Sequence, residues 1–165
     1  MVKGLPSSSV GGGQESGRRA GTEAVHQIAG LGAAAELVRD LSSMENVRRL
    51  RDKLETAILS DIPGNYLNGS RDVRLPNTSN ISFADLNGEM ILAALDDAGI
   101  CVSTGSACHA ADHVASPVLH AMNVPYSRAM GSIRFSLGRY NTGEEVGRVI
   151  DEVGKIVAQL RNLSE

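Results

Sequence analysis

Tryptophan is absent from this 165-residue chain, and only two phenylalanines and three tyrosines supply aromatic rings. A core so poor in rings must be assembled from Leu, Ile, Val and Ala. Hydrophobic residues still make up 42% of the sequence, enough to exclude global disorder. Cysteine is nearly as scarce. Cys101 and Cys108 do not form a disulfide framework, and a reducing compartment suits them better. Basic charge is not concentrated anywhere. With a net charge of −3 and no long run of Lys or Arg, nucleic acid and anionic membranes are poor candidates for the main partner. No apolar stretch approaches a membrane span, and residues 1–10, with one lysine and no apolar centre, do not read as a secretory signal. The chain therefore reads as a soluble, cytoplasmic protein long enough for one compact core.

Residues 1–17 read as a flexible Gly/Ser-rich lead. Residues 18–60 read as linking helices: Val25, Ile28, Ala29, Ala35 and Val38 fall near one face, and Val47, Leu50, Leu54 and Ile58 continue the pattern. Ser42 and Glu45 could cap a second helix, or one long helix could run through. Residues 61–165 read as a small α/β domain. Its start, 61–77, is rich in turn residues. Ile81 and Phe83 alternate with Asn80 and Ser82 as a half-buried strand. Asn87 caps a helix that Gly99 stops, and 100–103 reads as a short strand that turns Cys101 into the core. Residues 106–115 read as a loop, and Ser116-Pro117 opens a short helix. Ile133, Phe135 and Leu137 alternate as a further strand. Thr142 and Glu145 form a capping box for a last helix that buries Val146, Val149, Ile150, Val153, Ile156, Val157 and Leu160. The expected architecture is α/β (α+β): a short sheet packed against helices, preceded by a long helix or helix pair.

Three features could carry chemistry. Cys108 follows Ser103-Thr104-Gly105-Ser106-Ala107, a small-residue loop that gives reach, with His109 and His113 nearby as sources of positive charge. A thiol reacts as its thiolate, so it needs access and such neighbours. From spacing alone, a reactive thiol and a small buried hydrophobe are equally good readings. Cys101, Cys108, His109 and His113 are also metal-ligand types, but their spacing is no standard zinc pattern, and no metal site is expected. Arg134 lies between Ile133 and Phe135 and so projects from the opposite sheet face. There it could hold a carboxylate through two parallel hydrogen bonds, although a solvated arginine is the commoner arrangement. Residues 11–22, Gly-Gly-Gly-Gln-Glu-Ser-Gly-Arg-Arg-Ala-Gly-Thr, would suit an anion at a helix start. They match neither the Walker loop nor the dinucleotide-binding fingerprint, and a linker is the alternative.

Taken in order, these stretches resemble the cysteine desulfurases, a family of fold-type-I pyridoxal phosphate enzymes related to class V aminotransferases. The resemblance rests on residues 11–22, on Asn77-Thr78-Ser79-Asn80-Ile81-Ser82-Phe83, on 103–108, and on Ser132-Ile133-Arg134-Phe135-Ser136-Leu137-Gly138. It extends from about Gly11 to about Leu163. The stretch between Cys108 and Val118 resembles the long-loop group that serves iron–sulfur assembly and nitrogen fixation. The resemblance implies that the chain corresponds to the small carboxy-terminal domain of such an enzyme. Cys108 would take the sulfur of L-cysteine as a persulfide, Arg134 would clamp the substrate's α-carboxylate, and Thr22 would reach the phosphate of pyridoxal 5'-phosphate in the other subunit of a homodimer. It further implies a sulfur-acceptor protein, such as an iron–sulfur scaffold, as partner.

The sequence departs from the family in its lysines. Only Lys3, Lys53 and Lys155 are present, none in the Ser-x-His-Lys context that binds the cofactor. The chain is therefore expected to be inactive alone and to need a complementing amino-terminal half. The scaffold-docking tail of some relatives is not seen, and His109-Ala110 replaces the small hydroxyl pair usual after the cysteine. Selenocysteine lyase or another class V relative is an alternative reading. A non-catalytic persulfide carrier or dimerisation module is another.

Overall fold

The computed structural model describes residues 6, 9–104 and 116–163. The chain divides into two compact units, Met1–Leu41 and Ser42–Glu165. The first contains an irregular turn, α1 (Gln14–Gly17), and a helix, α2 (Val25–Leu37). In α1, Glu15 and Ser16 adopt φ of 52° and 57°, a left-handed conformation uncommon for residues other than glycine. Helix α2 buries none of its side chains, and Val25, Ile28, Leu31 and Leu37 are all exposed.

The second unit begins with α3 (Ser42–Asp61), so the sequence forms two separate helices here. Helix α3 contributes to the core: Val47, Leu50, Leu54 and Ile58 form one apolar stripe, all buried. The stripe packs on α7 (Gly143–Asn162), which buries Val146, Val153, Ile156 and Val157. Each side chain so buried stabilises the fold by about 1.5–3 kcal/mol. Thr142 and Glu145 cap α7 as expected: Thr142 Oγ1 accepts from the Glu145 amide at 3.2 Å, and Glu145 Oε2 accepts from the Thr142 amide at 2.9 Å.

Strands β1 (Asn65–Leu67), β2 (Thr78–Phe83), β3 (Ser103–Thr104) and β4 (Ser132–Ser136) form one antiparallel sheet in the order β1-β2-β4-β3. Ile81 pairs with Ile133 and Ser79 with Phe135, placing all four on the face covered by α3, α7 and α4 (Gly88–Asp97). Asn87 caps α4 through its side-chain oxygen, 2.8 Å from the Glu89 amide. Gly99, at φ 72°, ends it, and the Ile100 amide returns to the Leu95 carbonyl at 2.8 Å.

That return corrects the expectation for Cys101. Ile100 takes the core side, so alternation turns Cys101 outward, where it is exposed. The strand expected at 100–103 is also shorter, pairing only at Ser103 and Thr104. Short helices α5 (Pro117–Ala121) and α6 (Tyr126–Met130) lead into β4. At their junction with the sheet, a side chain on Gly131 would meet the Phe83 carbonyl oxygen at 2.1 Å. Only glycine permits that close passage. No helix among the described residues is long and apolar enough to cross a membrane.

Candidate functional site

The sheet has one apolar face and one polar face. On the polar face, Asn80 of β2 and Ser103 of β3 are the register partners of Arg134 on β4. Ile133 and Phe135 are buried on the other side, and this alternation is what sends Arg134 outward. The Arg134 side chain is exposed, and no group among the described residues pairs with its guanidinium. A free, fork-shaped donor on a polar sheet face is suited to a carboxylate.

Beside it lies a network that sequence reasoning missed. Asn68, almost fully buried, donates through Nδ2 to Asn80 Oδ1 and to Ser82 Oγ, both at 2.7 Å. Its Oδ1 accepts from Arg128 Nη2 at 3.1 Å. The Arg128 guanidinium stacks over the Tyr66 ring, 4.2 Å from its centroid. The alternation of Asn80 with Ile81 marked it as facing away from the core. Nothing in the sequence paired it with Asn68, twelve residues earlier across a turn.

A second network fixes β2 from the core side. Glu55 on α3 accepts from Ser79 Oγ at 2.6 Å and takes Arg74 in a two-pronged pair at 2.7 and 2.8 Å. Arg51 donates to Asp52 at 2.7 Å and to the Leu75 carbonyl at 3.2 Å. Burial pushes the Glu55 carboxyl up, but the hydrogen bonds from Arg74 and Ser79 and the charges of Arg74 and Arg51 outweigh it, so its pKa lies below the ordinary value.

The other expected site residues lie elsewhere. Thr22 is exposed in the first unit, in a hollow shared with Glu15, Arg19, Gln27 and Ile28. There the Arg19 guanidinium is turned onto its own loop, donating to the Gly21 carbonyl at 2.9 Å. Cys108, His109 and His113 lie outside the described residues. Among the described residues no three His, Cys, Asp or Glu side chains gather as metal ligands.

A short antiparallel sheet with helices on one face and an exposed arginine on the other is a fragment of the fold-type-I architecture. The Aminotransferase class-V family profile matches residues 5–149, and the chain belongs to that family. It is 53% identical over 156 residues to the cysteine desulfurase NifS of Azotobacter vinelandii, and 50% identical over 156 residues to a cysteine desulfurase of Gluconacetobacter diazotrophicus. Each alignment covers 93% of this chain and 39% of the relative, so the chain spans about two fifths of their length. Among solved structures, a NifS-like protein superposes with a TM-score of 0.84 at 35% identity, covering 97% of this chain and 41% of the other. A NifS-like protein from Rickettsia africae gives 0.79 at 33% identity, covering 91% and 39%.

The family uses pyridoxal 5'-phosphate, which a lysine amine holds covalently. The described lysines do not fit that task. Lys53 donates to the Gly143 carbonyl at 3.4 Å, and Lys155 pairs with Glu152 at 2.8 Å. Both sit on α3 and α7, helices that cover the sheet face opposite Arg134. Lys3 lies outside the described residues.

Proposed function

We propose that this chain is the carboxy-terminal part of a cysteine desulfurase. Arg134 holds the α-carboxylate of L-cysteine, and Cys108 receives its sulfur. The transformation balances as L-cysteine plus the Cys108 thiol giving L-alanine plus a Cys108 persulfide, which passes its outer sulfur to an acceptor protein such as an iron–sulfur scaffold. The single observation carrying this reading is Arg134 itself, an exposed guanidinium on the polar sheet face with no partner among the described residues, within a sequence half identical to cysteine desulfurases. Neither Lys53 nor Lys155 is placed to hold the cofactor, and these residues alone do not turn over L-cysteine. The exposed apolar side chains of α2 support an assembly of more than one chain, with Thr22 reaching the cofactor phosphate across a dimer. A reducing cytoplasm suits a free, reactive thiol at Cys108.

The test is alanine release from L-cysteine in the presence of pyridoxal 5'-phosphate and a reductant. The chain is assayed alone and mixed with a separately produced lysine-bearing half, each with wild-type and Cys108→Ala protein. The expected result is no release alone, release on mixing, and its loss with Cys108→Ala. Release by the chain alone that depends on Cys108 would overturn the claim that it is inactive by itself. A mixture that stays inactive would overturn the desulfurase reading and leave a persulfide carrier or dimerisation module in its place.

A further inference from the structure

We infer that Arg128, acting through Asn68, fixes the amide of Asn80 so that its Nδ2 stands as a second donor beside Arg134, making Asn80 a direct contact for the bound carboxylate. The inference rests on the reading of Arg134 as the carboxylate-binding group.

Either orientation of an asparagine amide fills the same space, so its neighbours decide which end is oxygen. A guanidinium has donors only. The Asn68 atom that meets Arg128 Nη2 must therefore be Oδ1, which leaves Asn68 Nδ2 facing Asn80 and Ser82. Asn80 must answer with Oδ1, and its own Nδ2 is then turned away from Asn68. No group among the described residues accepts from that Nδ2.

Asn80 and Arg134 are direct register partners on the same face, and such side chains start about 5 Å apart. A carboxylate held by the Arg134 fork lies within reach of Asn80 Nδ2. With the amide reversed, its oxygen would face the same anion and repel it. The orientation is defended at both ends. The stack on Tyr66 holds Arg128 in place, and the burial of Asn68 makes any reversal leave a donor facing a donor. Asn68 and Arg128 are positioning residues, and only Asn80 touches the ligand.

The intact chain, labelled with ¹⁵N, is titrated with L-alanine, and with alaninamide as the control lacking a carboxylate. The Asn80 Nδ2H2 and Arg134 Nε–H signals are expected to move along one binding curve with L-alanine and to stay still with alaninamide. Asn80→Ser weakens binding about tenfold, the usual worth of one hydrogen bond to a charged group. Arg128→Met uncouples the Asn80 signal while that of Arg134 still responds. Arg128→Lys, again donor-only, restores the coupling. Backbone amide spectra confirm that each variant is folded, and Arg128→Lys supplies the test if Arg128→Met is not. If Arg134 responds but Asn80→Ser binds as tightly as wild type, the relay is wrong and the carboxylate reading stands. If Arg134 shows no carboxylate-dependent response, both fall.

Discussion

Replacing Glu55 with glutamine should cost stability in a manner that depends on pH. Glu55 is buried at the centre of a pair with Arg74 and a hydrogen bond from Ser79. Removing one partner of a buried ion pair costs about 3–5 kcal/mol when the other charge is left without compensation. Here glutamine keeps one acceptor, and Arg74 retains Asp52 at 3.9 Å, so a loss of about 2–3 kcal/mol at neutral pH is expected. The sign of the pH dependence follows from the depressed pKa of Glu55. Its contribution is fully present above the unfolded carboxyl pKa of about 4.3, and is lost as pH falls through the lower folded value. Urea unfolding of wild type and Glu55→Gln at neutral pH and in acid measures this directly. The gap between the two proteins should narrow in acid, because wild type then also carries a neutral side chain at position 55. An equal gap at both pH values would refute the ion-pair account. The effect should also reach the polar face. Ser79 precedes Asn80 in β2, so releasing Ser79 from Glu55 loosens the strand that presents Asn80 to Arg134.

Two further stability changes follow from the packing. Gly131→Ala drives a methyl group into the Phe83 carbonyl and should cost about 3 kcal/mol or more, whereas Gly147→Ala on α7 meets nothing within 4 Å and should add about 0.5–1 kcal/mol. Thermal unfolding of the pair checks this, and similar shifts for both would be inconsistent with it. Thr142→Ala removes the capping box of α7 and should cost about 1 kcal/mol in the same assay. The Glu145 carboxyl is held below its ordinary pKa, first by the Thr142 backbone amide, so the cap should weaken as pH falls through that lowered value.

The elements with strong period or clear caps were legible in the sequence. The apolar stripes of α3 and α7, the Thr142–Glu145 box, the Asn87 cap and the alternation around Ile81 and Ile133 all appear where the pattern placed them. Strand β1 and helix α6 left no such trace. Asn65-Tyr66-Leu67 is too short to show alternation and sits among turn residues, and only Ala129 of α6 is buried. Cys101 was misplaced for a related reason. Alternation says that neighbours face opposite ways, but not which of them faces in. The helix return through Gly99 and Ile100 made that choice.

The candidate site divides along the same line. Arg134 was readable because one strand's alternation is enough to expose it. Asn80 was readable as an outward polar residue, but its role depends on Tyr66 and Asn68 at the end of β1 and on Arg128 of α6, sixty residues further on. Alternation within β2 decides which way Asn80 points. Which end of its amide is a donor is decided only by a guanidinium from α6, two hydrogen bonds away. A strand pattern can therefore reveal where a polar group faces, while the sign of what it offers to a ligand is set by tertiary contacts. At this sheet face those contacts favour an anion.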